Sequence, residues 1–187
     1  MSLTLDEVAA DAAHCTQCGL ARGRTQVVFG MGDPDAHLMF VGEGPGAEED
    51  RQGLPFVGRS GKLLDRLMAQ EIGLTRDQCY IANVVKCRPP DNRDPTPDEV
   101  AACRPWLERQ LALIAPRVIV TLGNFSSKLL LDTKTGITKL RGQSYPMAGT
   151  DAVIIPTYHP AAVLRGGALQ EAQMRSDLVR ARMAIAR

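Results

Sequence analysis

Four short apolar runs frame the chain: His37–Val41, Tyr80–Val85, Arg117–Leu122 and Val153–Ile155. They are rich in β-branched residues and show no alternation, which predicts strands covered on both faces. Between them the apolar positions change period. Leu63, Leu64, Leu67 and Met68 recur at helical spacing behind Ser60, predicting a helix capped by that serine. Thr4-Leu-Asp-Glu7 is a capping box that predicts a short helix ending near Cys15. Thr96-Pro97-Asp98-Glu99 joins a cap, a first-turn proline and a capping-box glutamate, and the helix behind it presents Val100, Cys103, Leu107, Leu111 and Ile114. Asn124–Leu131 predicts a shorter helix. Ala168–Ile185 predicts the last one, with Met174 and Leu178 inward and Arg175, Arg180 and Arg182 in solvent.

Strands alternating with helices predict an α/β fold. The expected form is a three-layer α/β/α sandwich around a central, mostly parallel four-stranded sheet, with residues 1–187 as one domain. Ligands in such sheets bind outside the carboxyl ends of the strands. Gly42-Glu43-Gly44-Pro45-Gly46 follows the first run, Asn83 closes the second, Gly123-Asn124 follows the third, and Tyr158-His159-Pro160 follows the fourth. Polar residues capable of chemistry thus stand at every end expected to converge.

Composition narrows the class. The 187 residues are 44% hydrophobic and 23% charged, which excludes disorder, collagen and coiled coil for the chain as a whole. A net charge of +1 argues neither for nor against nucleic acid, although 17 of the 22 basic residues are arginine, the residue suited to planar phosphate recognition. No apolar run reaches the ~18 residues of a membrane span. Met1–Ala10 carries Asp6 and Glu7 where a signal peptide has a basic start and an apolar core. The expectation is a cytoplasmic monomer without a membrane partner.

The five cysteines in such a setting are metal ligands, buried thiols or both. Cys15 and Cys18 are spaced C-x2-C, and Cys87 and Cys103 form a more distant pair. If the fold brings the two pairs together they make a four-thiolate site, which spacing alone leaves open between zinc and an iron–sulfur centre; otherwise they are buried, unligated thiols. Cys79 has no partner by spacing and reads as a small buried hydrophobe. In the glycine turn, Glu43 can position water or offset a developing cation, and backbone N–H groups can face an oxygen. Phe56, in Gly53-Leu-Pro-Phe-Val-Gly58, is a candidate stacking platform for a base. Asn83 is an amide in an apolar strand and needs partners or a ligand. His159 is one of three histidines and stands at a strand end.

Taken together, Cys15-x2-Cys18, Gly42-Glu-Gly-Pro-Gly46 with Glu48-Glu49-Asp50, Leu54-Pro-Phe-Val-Gly-Arg-Ser-Gly61, Asn83-Val-Val-Lys-Cys-Arg-Pro-Pro90 and Tyr158-His-Pro-Ala-Ala-Val-Leu-Arg165 resemble the family 4 uracil-DNA glycosylases, the iron–sulfur branch of their superfamily. The ordered set spans Cys15 to Arg165. The resemblance implies hydrolysis of uracil from DNA, single- or double-stranded, and a [4Fe–4S] cluster on Cys15, Cys18, Cys87 and Cys103. It implies that Glu43 orients or activates water, that Phe56 stacks on uracil, that Asn83 reads its edge and that His159 bonds its O2. Glu49 is implied near C5, where it excludes the methyl of thymine, and Gly42 and Gly44 belong to the substrate-binding turn.

The base must leave the stack for this chemistry. Val163 or Leu164 is the expected wedge into the vacated space, and Arg88, Arg93, Arg141 and Arg165 are candidate phosphate contacts. Ala47 departs from the family pattern, where many members carry a further acid. Gly44, and the lack of histidine between Arg88 and Pro97, separate the chain from the branch that crosslinks to its DNA, so turnover is expected. Two other classes compete. A metal-stabilised binding module has no use for Glu43 beside phosphate, and an enzyme of free nucleotides would want a P-loop, which is absent.

Overall fold

The computed structural model describes residues 3–186. The strands are β1 (Met31–Gly32), β2 (Leu38–Gly42), β3 (Tyr80–Asn83), β4 (Val118–Leu122), β5 (Tyr145–Pro146) and β6 (Val153–Thr157). The α-helices are α1 (Leu5–Ala13), α2 (Ala47–Gln52), α3 (Arg59–Glu71), α4 (Pro97–Ile114), α5 (Asn124–Leu130), α6 (Ile137–Leu140), α7 (Pro160–Gly166) and α8 (Ala168–Ile185). Among the described residues the strands form one six-stranded sheet in the order β1-β3-β2-β4-β6-β5. The four expected strands are its parallel centre. The two additions, β1 and β5, are two-residue antiparallel edges.

Every residue of β2, β3 and β4 is buried, as continuous apolar runs require. Successive side chains of β2 feed opposite faces. Met39 and Val41 join Val8 and Ala12 of α1 and Val100, Trp106 and Leu107 of α4. Leu38 and Phe40 join Leu64, Leu67 and Met68 of α3 and Met174, Leu178 and Ala181 of α8. The molecule is the expected three-layer α/β/α sandwich.

Several local expectations change. The cap of α3 is Gly58, two residues before Ser60. Arg175 is not solvated: it pairs with Glu71 and, at 3.0 Å, with Glu171. Arg180 and Arg182 are exposed as expected. Cys79 is fully buried beside Met68, and burial pushes its thiol up to about 12. No helix of the described residues is long and apolar enough to cross a membrane.

Because the central strands are parallel, their carboxyl ends share one edge. The chain leaves β2 toward β3 on one side and later returns toward β4 on the other, so the direction of winding reverses at β2. Crevices at such reversals are where open α/β sheets bind ligands.

Candidate active site

β2 runs into the turn Gly42-Glu-Gly-Pro-Gly46, and Gly42 is the register partner of Asn83 at the end of β3. The turn is fixed from β3's side. The Val84 N–H donates to the Gly42 carbonyl and the Val85 N–H to that of Glu43, both at 3.0 Å. Gly44 lies against Val85. Gly42 is glycine because space demands it. A Cβ there would stand 2.4 Å from Asn83 Oδ1 and 2.6 Å from the Phe56 ring.

Asn83 is 1% exposed, and its Oδ1 has no hydrogen-bond partner among the described residues. Buried polar atoms are nearly always paired, and an unmade bond costs about 1–3 kcal/mol. At the converging strand ends this leaves an acceptor open to an incoming donor.

Phe56 is buried and holds a left-handed backbone, φ 53°. Three devices keep it there. The Arg76 guanidinium donates to the carbonyls of Pro55, at 2.9 Å, and Phe56, and is itself held by Asp65 of α3 at 2.6 Å. Glu49 accepts from the N–H groups of Val57 (3.0 Å) and Gly58 (3.1 Å) through one oxygen and from Gly46 (3.2 Å) through the other. Gly61 admits the Phe56 carbonyl to a place where a Cβ would lie 1.6 Å from its oxygen. Glu49 therefore clamps the Phe56 loop to the glycine turn, a task its spacing did not suggest. It also takes the Gly46 N–H, leaving that group unable to face a substrate oxygen.

His159 ends the segment after β6 and caps α7, its Nδ1 accepting from the Ala161 N–H at 3.1 Å. With Nδ1 spent as an acceptor, the neutral ring carries its proton on Nε2. Burial, then the Arg165 charge, pushes its pKa down to about 4 against the opposing pull of Glu49. Its ring lies 5.7 Å from that of Phe56, tilted by 34°. Glu43 is half-buried. Burial first, then the carboxylate of Asp94 and a hydrogen bond with it, raise its pKa to about 7. Asp94 was missed from sequence: it lies in an arginine-rich loop and only the fold brings it to Glu43.

The outer candidates divide. Leu164 is 44% exposed, whereas Val163 is 2% exposed in the core beside α3 and α8, so only Leu164 is free to act as a wedge. Arg141 is not a phosphate contact. It makes a two-pronged pair with Asp177 (2.9 and 3.0 Å) beneath the end of β6. Arg93 is committed to Glu99 at 2.7 Å and Arg88 to Asn92 at 2.7 Å. Arg165 is exposed and makes no ion pair or side-chain hydrogen bond among the described residues.

Cys15, Cys18, Cys87 and Cys103 line one small cavity between the start of the chain, α4 and the segment after β3. Donors surround the sulfurs: Trp106 Nε1–H to Cys15 at 3.4 Å, Arg24 to Cys87 at 3.4 Å, and the Lys86 backbone N–H to Cys103 at 3.2 Å. N–H groups aimed at sulfur suit electron-rich thiolates. Among the described residues no three His, Cys, Asp or Glu side chains converge on a single-ion site.

A family model for the uracil DNA glycosylase superfamily matches residues 29–181. A type-4 uracil-DNA glycosylase of Thermotoga maritima is 51% identical over 81% of this chain and 78% of its own. One of Sulfurisphaera tokodaii is 47% identical over 86% and 76%, and one of Archaeoglobus fulgidus is 45% identical over 90% and 87%. With the motif residues gathered at one sheet edge and this degree of identity across most of its length, the chain belongs to the uracil DNA glycosylase superfamily, in its type-4 branch.

Proposed function

We propose that the protein hydrolyses the N-glycosidic bond of deoxyuridine in DNA, releasing uracil and leaving an abasic site. The observation that carries this reading is the bare, buried Oδ1 of Asn83 at the corner shared by Gly42 and Phe56. Uracil offers that oxygen its N3–H, and its O4 accepts from the amide nitrogen. Cytosine presents the reverse pattern and leaves both groups unpaired. Sites of this kind discriminate by roughly 10⁴–10⁵.

As the C1′–N1 bond breaks, negative charge gathers on uracil, mainly at O2, and positive charge on the deoxyribose. His159 holds its Nε2 proton toward O2. Because the ring is neutral and its other nitrogen is tied to the backbone, that donor is in place before reaction and costs no reorganisation. Glu43 as carboxylate orients the attacking water and offsets the charge on the sugar. Phe56 stacks on the extruded base, Glu49 fixes that loop and faces C5, and Leu164 enters the space the base leaves.

Cys15, Cys18, Cys87 and Cys103 would hold a [4Fe–4S] cluster. The cavity that all four cysteines line, with N–H donors at three of their sulfurs, supplies the thiolate set of either centre, and the family resemblance selects the cluster over zinc. Bound there, the cluster would tie the amino-terminal segment to α4. Such a centre suits a reducing, cytoplasmic setting.

The test is an oligonucleotide with a single uracil, incubated with the protein and treated with alkali. Strand scission at uracil and none at cytosine in the same place is expected. His159→Ala slows scission about 100-fold or more, the usual loss for one aimed donor, while the protein stays folded at the cost of about 1 kcal/mol for the lost cap of α7. No scission by the native protein overturns the reading.

A further inference from the structure

Lys86 is 1% exposed and has no carboxylate in contact among the described residues. Burying a lysine unpaired is costly, and such groups normally have a counter-charge. Its Nζ donates to the Asn83 carbonyl at 2.7 Å and to Gln110 Oε1 at 2.5 Å. Gln110, itself fully buried, donates onward to the Phe29 carbonyl at 2.8 Å and reaches Tyr80 Oη at 3.3 Å. The backbone of Lys86 holds the Cys103 sulfur, and its carbonyl accepts from the Val28 N–H at 2.8 Å. Phe29 lies 5.8 Å below the ammonium.

These contacts lie along one strap, Asn83 to Cys87. Its first residue carries the bare amide oxygen. Its next two hold the Gly42–Glu43 turn, and its last supplies a thiolate. Lys86 folds back along the strap: its Nζ reaches the Asn83 carbonyl, and its backbone N–H holds the sulfur of Cys103 on α4. We propose that Lys86 is a positioning residue that couples the four-cysteine pocket to base reading: its ammonium is the internal counter-charge of the thiolates, and its hydrogen bond fixes the main chain of Asn83 so that the amide meets uracil in one orientation. This rests on the reading of Asn83 and of the cysteine pocket given above.

Two holoprotein variants separate the parts. Lys86→Met keeps the length and removes both donor and charge. Lys86→Gln keeps a donor and removes the charge. The first readout is affinity for an oligonucleotide bearing 2′-fluoro-deoxyuridine, which resists cleavage, against one bearing deoxycytidine. The second is the half-life of bound iron under a chelator, followed by visible absorbance. Lys86→Met should lower the affinity ratio about tenfold or more, the usual effect of losing one charged hydrogen bond, and shorten the iron half-life. Lys86→Gln should shorten the half-life while keeping most of the ratio.

Folded variants that match the native protein in both readouts overturn the proposal. So does a lowered melting temperature with both readouts unchanged, or loss of the fold in both variants, since each leaves Lys86 a core residue only. If the native protein itself binds no iron or does not prefer the uracil analogue, the underlying reading fails instead.

Discussion

A histidine whose Nδ1 is spent on the Ala161 N–H cannot shuttle protons through that nitrogen, and burial keeps His159 uncharged down to about pH 4. Its donor is therefore constant across the neutral range, and the pH dependence of the reaction falls to Glu43. That carboxyl has its pKa raised to about 7, so it is protonated below and charged above. On the role proposed for Glu43 activity needs the charged form, and kcat/KM should fall as pH drops through about 7. Burial is the larger cause and Asp94 the second. Asp94→Asn should move the acid limb to lower pH without abolishing it, measured as kcat/KM across pH 5–9. An unmoved limb removes Asp94 from the site. At this scale the placement of Glu43, Phe56, Asn83 and His159 at one edge was legible because each stands at a strand end or turn. Asp94 and Arg76 were not, because what they touch lies at Glu43 and at Pro55-Phe56, on other segments of the chain.

At the scale of elements, the long strands and α1, α4, α5 and α8 follow from periodicity and caps to within a few residues. Each departure has its own cause. The α3 helix begins at Arg59 because Glu49 has already bound the Val57 and Gly58 N–H groups, a contact from a separate helix that no local pattern reveals. Strands β1 and β5 are two residues each, too short for any period. Arg141 read as a surface cation, yet it is 15% exposed and locked to the fully buried Asp177, which also accepts from Thr157 at 2.8 Å and from the Gly142 N–H at 3.1 Å. This knot ties α8 to the end of β6 just before His159. Asp177→Ala strands the Arg141 charge and should cost about 3–5 kcal/mol, measured by denaturant unfolding. A loss under 1 kcal/mol would show the pair to be dispensable.

Across the whole molecule the charge is nearly balanced, so DNA affinity comes from placement and not from net charge. With Arg93 and Arg141 committed to carboxylates, Arg165 beside Leu164 is the candidate left free at the site's rim. Arg165→Ala should flatten the slope of log affinity against log salt by about one, measured by fluorescence anisotropy with uracil-bearing DNA. An unchanged slope places Arg165 off the phosphates. Beneath the rim, the three-layer fold was readable from its apolar runs, while Lys86 in its interior was not, since a lone lysine in a sequence looks solvated.

The proposed preference for uracil rests on Asn83. Single-turnover excision from otherwise identical oligonucleotides carrying uracil or cytosine measures that directly. Asn83→Asp, which offers a different edge, should sharply reduce the uracil-to-cytosine rate ratio while the protein stays folded. A ratio equal to that of the native protein would contradict it.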